Sequence, residues 1–358
     1  MALPGRITIV GSTVWSTLLA RGLASRNSAV TFINTAPGAG IGYAAVAVSA
    51  LARAGITPGR KVYPLANVGR MTITEFDTLE QIVSSSRLQD AASQILIADR
   101  AAMLETVLNR AGVTVHRVRQ IRHYRTDSGA ITVQYGRESI LECDLLILTG
   151  GPSAAAGQVV ASQADPGTDG LELVTEVGWA DHGHDRPSLR LLDGPVLAGG
   201  QASLMLCPGG TYLTMTNSLG VVADAHLETR EIIDELVGHP GIEDILPPTK
   251  PSYTANTVRP LRIAPVATYT VDGILDLSHL SGMIDPFSIE ADLAVGISAA
   301  NTLGALLESG APGVAAISQV TRAALRASQS AHSVIADLQA TVPTWTERQA
   351  DVLLMRQS

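Results

Sequence analysis

The chain has 358 residues, of which 46% are hydrophobic, 16% charged and 4% aromatic. This length predicts two domains or one large α/β domain carrying an inserted one, and the apolar content excludes disorder as the main state. A formal net charge of −8 argues against a nucleic-acid-binding protein, which needs a basic surface. Cys143 and Cys207 are the sequence's two cysteines. We therefore expect neither a disulfide framework nor a cysteine zinc site, and a cytoplasmic location.

The first elements along the chain predict the βαβ unit of a doubly wound sheet. Residues 6–10 (RITIV) form a β-branched run that ends at Gly11, and residues 14–24 place apolar groups at helical spacing. Residues 29–33 (AVTFI) form the next strand. A strand, a glycine turn, a helix and a second strand within about thirty residues are typical of such a unit.

The middle of the chain predicts a buried parallel strand followed by a second kind of sheet. After a helix over residues 100–111 and short strands over 113–118 and 130–135, Asp144–Thr149 is apolar at nearly every position and leads into Gly150-Gly151. Such a run is typical of a parallel strand buried on both faces. Beyond Pro152, short alternating runs broken by glycines predict an inserted, mostly antiparallel sheet. These runs are residues 187–192, 202–206 and 211–216.

The last third of the sequence predicts helices around a return to the first domain. Residues 220–237 have the pattern of an amphipathic helix, residues 272–310 resume the first domain, and residues 313–340 continue as helix. Thr344 and Glu347 form a capping box that opens a last helix. We predict a discontinuous Rossmann-like domain, a substrate domain and C-terminal helices. Their boundaries are 1–60, 91–155 and 271–312 for the first, 61–90 and 156–270 for the second, and 313–358 for the helices.

This order of parts resembles the flavoprotein monooxygenase family. The matching features are the N-terminal βαβ unit, Asp99-Arg100 at a helix start, the DLLILTGG strand, the inserted sheet and the Asp285-Pro286 turn. The resemblance covers residues 5–310 and is nearest to the styrene monooxygenases within the para-hydroxybenzoate hydroxylase-like fold. It implies FAD laid across the first domain and substrate held between the flavin and the inserted sheet. If FAD binds, the resemblance implies contacts from Gly11, Ser12, Asn34, Arg100, Gly150 and Pro286.

The flavin motifs depart from the family pattern at several places. Residues 11–16 read GSTVWS, so Thr13 and Ser16 replace glycines of GxGxxG. Asn34 stands where an acidic residue would hold the adenosine ribose, and Ser278-His279 stand where the family has Gly-Asp. After Pro286 a glycine-rich turn is replaced by FSIEADL. Its acids, Glu290 and Asp292, place negative charge at the expected phosphate site while satisfying amides of their own helix start.

These departures predict that FAD is bound weakly or not at all, so no cofactor is expected. The leading hypothesis is a flavin-independent enzyme that cyclises or rearranges an apolar natural-product intermediate, a polyketide or terpenoid, by shape and general-acid catalysis. One alternative is an FAD-dependent monooxygenase or epoxidase of the styrene monooxygenase type, with a flavin reductase as partner. Another is a non-catalytic binding protein for a hydrophobic intermediate. The expected partner is a small apolar substrate, without nucleic acid or membrane, and a homo-oligomer is compatible with the sequence.

The candidate catalytic residues are His279, Asp285 and Glu290, which lie close together at a strand-to-helix junction. A partly desolvated carboxyl near another carboxyl can act as a proton donor, although both acids could instead cap a helix. No metal is expected, because the run from Asp181 to Asp185 with its two histidines has no evident third ligand and is typical of an exposed turn. Cys207 has no evident base, and Tyr253 and Tyr269 could either line a pocket or pack in a sheet.

Overall fold

The computed structural model describes residues 5–26, 29–35, 43–73, 78–82, 95–109, 112–118, 121–125, 131–135, 139–149, 171–194, 197, 200–218, 229–240, 242, 245–260, 273–283, 287–310 and 314–331. The predicted residues Gly150, Asp285, Pro286, Tyr269, Thr344 and Glu347 lie outside these ranges. Within them, none of the helices combines the length and the apolar character that crossing a bilayer requires.

A parallel sheet forms the first layer. Its strands, in spatial order, are β18 (Ile274–Asp276), β12 (Leu145–Leu148), β1 (Arg6–Gly11), β2 (Ala29–Asn34) and β8 (Thr114–Arg117). All neighbouring pairs in it are parallel. Every residue of β12 is buried, which explains why its sequence is apolar at each position. The predicted strands over 6–10, 29–33, 113–118 and 144–149 are confirmed.

A large, mostly antiparallel sheet forms the second layer. Its strands, in spatial order, are β17 (Tyr253–Pro260), β13 (Leu171–Trp179), β16 (Gly210–Ser218), β15 (Gln201–Cys207), β14 (Ser188–Asp193), β5 (Asn67–Ile73) and β6 (Thr78–Ile82). The pair of β14 and β5 is parallel and the other pairs are antiparallel. The predicted α/β fold with an inserted antiparallel sheet is confirmed.

Two smaller antiparallel sheets complete the β structure of the described residues. The small sheet contains β3 (Tyr43–Ala47), β7 (Ile95–Asp99) and β4 (Val62–Pro64). The meander contains β9 (Ile121–Arg125), β10 (Ile131–Tyr135) and β11 (Ser139–Cys143). Sequence patterning missed most of these strands.

The described helices include those predicted over 14–24, 100–111, 220–237 and 313–340. They are α1 (Val14–Ala24), α2 (Val48–Arg53), α3 (Arg100–Asn109), α4 (Thr229–Val237), α5 (Glu290–Glu308), α6 (Val314–Ser330) and a 3-10 helix (Ser278–Met283). Helices α1, α5 and α6 share a buried apolar cluster with the parallel sheet. Helix α4 covers one face of the large sheet with Ile232, Ile233 and Leu236. The face of the large sheet opposite α4, called the inner face below, looks towards the small sheet.

Close packing of α5 on the start of α1 depends on Gly296. A Cβ atom at this position would lie 2.7 Å from Leu18 Cβ and 2.8 Å from the Trp15 carbonyl oxygen. Backbone atoms cannot move aside as a flexible side chain can, so the two helices are in contact only because residue 296 lacks a side chain.

We therefore expect Gly296→Val to destabilise the protein by about 1–3 kcal/mol, the usual cost of overpacking a core. Denaturant unfolding measures the change. Gly238→Val is the matched control, since a Cβ atom there would meet its nearest neighbour, the Asp234 carbonyl oxygen, at an ordinary 3.4 Å. Equal stability of the two variants would contradict the close packing of α5 on α1.

Candidate functional site

The turn between β1 and α1 brings three predicted cofactor residues to one edge of the parallel sheet. Gly11 ends β1 and lies in register with Asn34 at the end of β2. Ser12 follows Gly11 in the turn. The carboxyl ends of parallel strands are where open α/β sheets bind ligands, so these residues do lie at the position that the resemblance implies.

The residues that depart from the glycine motif close this turn themselves. Thr13 is the N-cap of α1, and its hydroxyl accepts a hydrogen bond from the Ser16 amide while the Ser16 hydroxyl accepts one from the Thr13 amide. A Cβ atom on Gly11 would lie 2.0 Å from the Thr149 hydroxyl, which donates to the Val10 carbonyl. Side chains therefore fill the space that glycines leave open for a pyrophosphate.

A buried carboxylate from another helix occupies the positive end of α1. Oδ1 of Asp292, on the first turn of α5, accepts a hydrogen bond from the Trp15 amide at 3.4 Å. Asp292 is 3% exposed and Trp15 is 0% exposed. A second anion at about 4 Å from this carboxylate would be repelled by about 4 kcal/mol at the effective dielectric constant typical of protein sites. An anionic pyrophosphate does not fit the turn in this arrangement.

Glu290 makes a similar contact to a different element. Its Oε1 accepts a hydrogen bond from the Ala47 amide at 2.8 Å, where β3 leads into α2. Glu290 and Asp292 lie in the first turn of α5, where they were predicted to satisfy amides of their own helix, and the structure adds a contact from each to another element. The two acids join α5 to α1 and to the small sheet.

Arg100 also meets an internal carboxylate. It is the first residue of α3, and its Nη1 lies 3.5 Å from Oε1 of Glu176 on β13. Both side chains are mostly buried. Of the residues that the resemblance assigns to FAD, Arg100 is thus held against the large sheet, and the positive charge that would meet a phosphate has an acidic partner within the chain.

His279 occupies a structural junction. Its Nε2 lies 2.7 Å from the Thr321 hydroxyl of α6, so the ring links the 3-10 helix to α6. Burial lowers the pKa of His279, with a smaller opposing effect from Asp276, so the ring is held in its neutral form. His279 and Glu290 contact different elements, and Asp285 lies outside the described residues, so their predicted shared role in catalysis stays a prediction.

Aromatic side chains from both sheets meet where the small sheet covers the inner face of the large sheet. Tyr43, Tyr63, Tyr212 and Tyr253 form the tyrosine row, with successive ring centroids 6.1, 4.4 and 6.4 Å apart in the order Tyr63, Tyr43, Tyr212, Tyr253. Gly178 makes room for the last ring, because a Cβ atom there would lie 2.3 Å from Tyr253 Cε1.

Three phenols of this row, Tyr43, Tyr212 and Tyr253, are held neutral. Burial raises the pKa of Tyr212 to about 12 and raises the pKa values of Tyr43 and Tyr253 as well. Cys207 lies beside them and is fully buried, its pKa raised to about 11 by the same cause, and its thiol lies 3.4 Å from the Gly210 carbonyl. A thiol in this state is a poor nucleophile near pH 7, so the row offers hydrogen-bond donors and no thiolate.

Next to the tyrosine row, the inner face carries buried polar side chains, called the polar patch below. The strand register places Arg70 opposite Leu191, Leu191 opposite Ser203 and Ser203 opposite Thr214, and it places Thr72 opposite Asp193. The members of the patch are all buried; they are Arg70, Thr72, Asp193, Ser203, Thr214 and Thr216. Arg70 and Asp193 form an ion pair, with Arg70 Nε donating to Asp193 Oδ2 at 2.8 Å.

Three polar atoms on this face are buried without a hydrogen-bond partner among the described residues. They are Oη of Tyr253, Oγ of Ser203 and Oδ1 of Asp193. Ser203 is 0% exposed and Asp193 is 9% exposed. Each buried polar group left without a partner costs about 1–3 kcal/mol, so three such groups on one sheet face make this face a candidate binding site for a polar partner.

Sequence reasoning missed Asp193 and Ser203 and treated Tyr253 as an open alternative. The signal was present as alternation, since Ser203, Thr214 and Thr216 alternate with the apolar residues Leu204, Leu213 and Met215. Alternation normally indicates that the polar residues face water. In this sheet both faces are covered, so the polar residues are buried.

The histidine loop and the cysteine do not form a metal centre in the described part of the chain. The rings of His182 and His184 lie 5.0 Å apart, and His184 Nε2 lies 2.9 Å from the Thr211 hydroxyl. Among the described residues, no group of three or more histidine, cysteine, aspartate or glutamate side chains comes together as metal ligands.

Comparison with solved structures identifies the fold. The chain matches a geranylgeranyl bacteriochlorophyll reductase-like protein from Thermoplasma acidophilum with a TM-score of 0.63 and 14% identity, over 88% of this chain and 82% of that one. It matches the peptidyl tryptophan dihydroxylase QhpG with a TM-score of 0.60 and 16% identity, over 91% and 73%. PqsL from Pseudomonas aeruginosa, a probable FAD-dependent monooxygenase, gives a TM-score of 0.51 and 17% identity, over 91% and 93%.

At these low identities the likeness establishes the fold alone, which is that of the flavoprotein monooxygenases. The resemblance found in the order of sequence elements is therefore confirmed at the level of fold. No protein-family model and no curated protein matches the sequence.

Acidification is expected to destabilise the protein through His279. Because burial lowers its pKa below the ordinary value of 6.5, the unfolded chain binds this proton more readily than the folded one. The contribution of His279 to the free energy of unfolding is therefore complete above about pH 6.5, and it is lost as the pH falls below that value. His279→Gln should flatten the dependence of the unfolding free energy on pH between about pH 7 and about pH 5.

His184, whose pKa is lowered by burial and by His182, contributes in the same sense, so His184→Gln is measured beside it. An unchanged slope in His279→Gln would show that this ring titrates alike in both states.

Removal of the unpartnered hydroxyls is expected to leave stability unchanged or raised. Tyr253→Phe and Ser203→Ala delete buried groups that make no hydrogen bond with the described residues. Tyr212→Phe is the matched comparison, because the Tyr212 hydroxyl donates to the Gly209 carbonyl at 2.6 Å and its loss should cost about 0.5–1.5 kcal/mol. Urea unfolding measures the free energy of unfolding of the three variants. A loss in Tyr253→Phe as large as that in Tyr212→Phe would contradict an unpartnered phenol.

Proposed function

We propose that this protein, which has the flavoprotein monooxygenase fold, is a flavin-independent enzyme that cyclises or rearranges a largely apolar natural-product intermediate. Supporting this proposal is one observation above all: a buried carboxylate of the chain, Asp292, binds the Trp15 amide at the turn where a dinucleotide would place its pyrophosphate. The same pattern recurs at Arg100, which pairs with Glu176. Internal anions thus take the contacts that a cofactor of this fold would need.

The proposed chemistry is general-acid catalysis. Glu290 accepts a hydrogen bond from the Ala47 amide, and His279 is held neutral by burial beside the Thr321 hydroxyl, so both contacts suit positioning roles. Asp285, one of the acids inferred from sequence, keeps its place as candidate proton donor. Tyr253 adds a neutral phenol that can donate a hydrogen bond to a carbonyl or hydroxyl oxygen as negative charge develops there.

Two other functions are compatible with the fold. An FAD-dependent monooxygenase is favoured by the likeness to PqsL. A carrier for a hydrophobic intermediate would use the same inner face without proton transfer. The carrier and the enzyme are separated by turnover, because Asp285→Asn and Tyr253→Phe should slow an enzyme and leave the affinity of a carrier nearly unchanged.

The decisive test of flavin independence is the absorbance spectrum of the purified protein, followed by titration with oxidised and with reduced FAD. We expect no flavin absorbance and no saturable binding of either form up to about 100 µM. The physical reason is charge: the pyrophosphate would approach the Asp292 carboxylate in a water-poor site. Stoichiometric flavin, or a Kd below about 10 µM for the reduced form, would refute the proposal and favour the monooxygenase.

A further inference from the structure

We propose that the polar patch binds a hydroxyl group of the substrate, with Asp193 accepting the hydrogen bond from that hydroxyl and Ser203 donating one to its oxygen. This inference rests on the proposed function only in using the same inner face, and it sharpens the expected substrate. A purely hydrocarbon intermediate would leave both groups unpaired, whereas an alcohol or phenol on an apolar body would pair them.

The ion pair between Arg70 and Asp193 leaves one carboxylate oxygen for a ligand. Nε and Nη2 of Arg70 both contact Oδ2 of Asp193. Oδ1 is buried and has no partner in the described part of the chain. A buried carboxylate oxygen can only accept, so the missing partner must bring an O–H or N–H donor.

The charge of the pair favours a neutral donor over a cation. Arg70 and Asp193 lie next to each other on β5 and β14 and are both buried, so the carboxylate is already neutralised by the guanidinium. An ammonium ion placed here would add an uncompensated positive charge to a desolvated site and would be repelled by Arg70. An alcohol or phenol adds no charge.

Ser203 supplies the second contact. It lies directly opposite Leu191 on β14, and Asp193 is two residues further along that strand. Side chains at such diagonal positions have Cβ atoms about 7–8 Å apart. The proposed site requires one hydroxyl oxygen to lie within about 2.8 Å of both Ser203 Oγ and Asp193 Oδ1. Ser203 is 0% exposed and its hydroxyl has no partner among the described residues, so the ligand oxygen satisfies it.

A matched pair of probes tests the hydroxyl site without knowledge of the natural substrate. 1-Naphthol carries the O–H group, and 1-methoxynaphthalene has nearly the same shape but no donor. In equilibrium titrations followed by probe fluorescence, we expect the wild-type protein to bind 1-naphthol about tenfold more tightly than 1-methoxynaphthalene. The ratio of the two Kd values reports the hydroxyl contact and cancels the apolar contribution that the probes share.

Variants assign the preference to the two residues. Ser203→Ala is expected to bring the ratio of Kd values towards one while the protein stays folded, since it deletes an unpartnered hydroxyl. Asp193→Asn should lower the ratio as well, but it removes the charge that pairs with Arg70. If Asp193→Asn does not fold, the result for Ser203→Ala decides the test. Thr132→Val is the matched control, because Thr132 is another buried hydroxyl without a partner among the described residues, and it lies in the meander.

The outcomes separate this inference from the proposed function. Equal Kd values for the two probes in the wild-type protein, no binding of either probe, or an unchanged ratio in Ser203→Ala would each overturn the hydroxyl site. A change in Thr132→Val as large as that in Ser203→Ala would also overturn it. Flavin binding in the FAD titration, with the naphthol preference intact, would refute flavin independence and leave the hydroxyl site standing.

Discussion

The contact between the Asp292 carboxylate and the amide of Trp15 is the interaction on which the architecture of the first domain depends. It places a fixed negative charge at the positive end of α1 and brings the first turn of α5 against the turn that follows β1. The approach is possible because Gly296 has no side chain. A helix terminus is a site for an anion, and here the chain supplies that anion from its own sequence. The proposal that FAD is not bound rests on this contact.

The same principle explains the junction between the two layers. Glu290 joins α5 to the strand-helix boundary at Ala47, and Glu176 joins the large sheet to Arg100 at the start of α3. In each pair a carboxylate contacts a donor of a neighbouring element, the Ala47 amide in one and the Arg100 guanidinium in the other. The polar patch differs from these pairs. In it, Asp193 Oδ1 and Ser203 Oγ are buried and have no hydrogen-bond partner among the described residues. Unsatisfied polar groups are costly, so their grouping on one face is best explained by a ligand that completes them.

The sequence predicted the parallel sheet well because its strands are buried on both faces and are apolar at successive positions, as in Leu145–Leu148. It also located the departures from the glycine motif at Thr13 and Ser16, whereas the reciprocal capping contact between these two residues is seen only in the structure. The partners of Glu290 and Asp292 could not be predicted. An acid in the first turn of a helix is usually attributed to that helix, and only the tertiary packing shows that these two reach Ala47 and Trp15. The polar patch was missed for a related reason, because alternation does not reveal that both faces of the sheet are covered.

The central claim, that an internal carboxylate holds the site of a cofactor phosphate, is tested most directly at the Trp15 amide. In isotope-labelled protein, its NMR chemical shift can be followed during titration with ADP, which carries the pyrophosphate without the flavin. We predict that the chemical shift of the Trp15 amide does not change up to about 1 mM ADP in the wild-type protein. A saturable shift of this amide with ADP at neutral pH would show that the phosphate displaces Asp292, and would contradict the account.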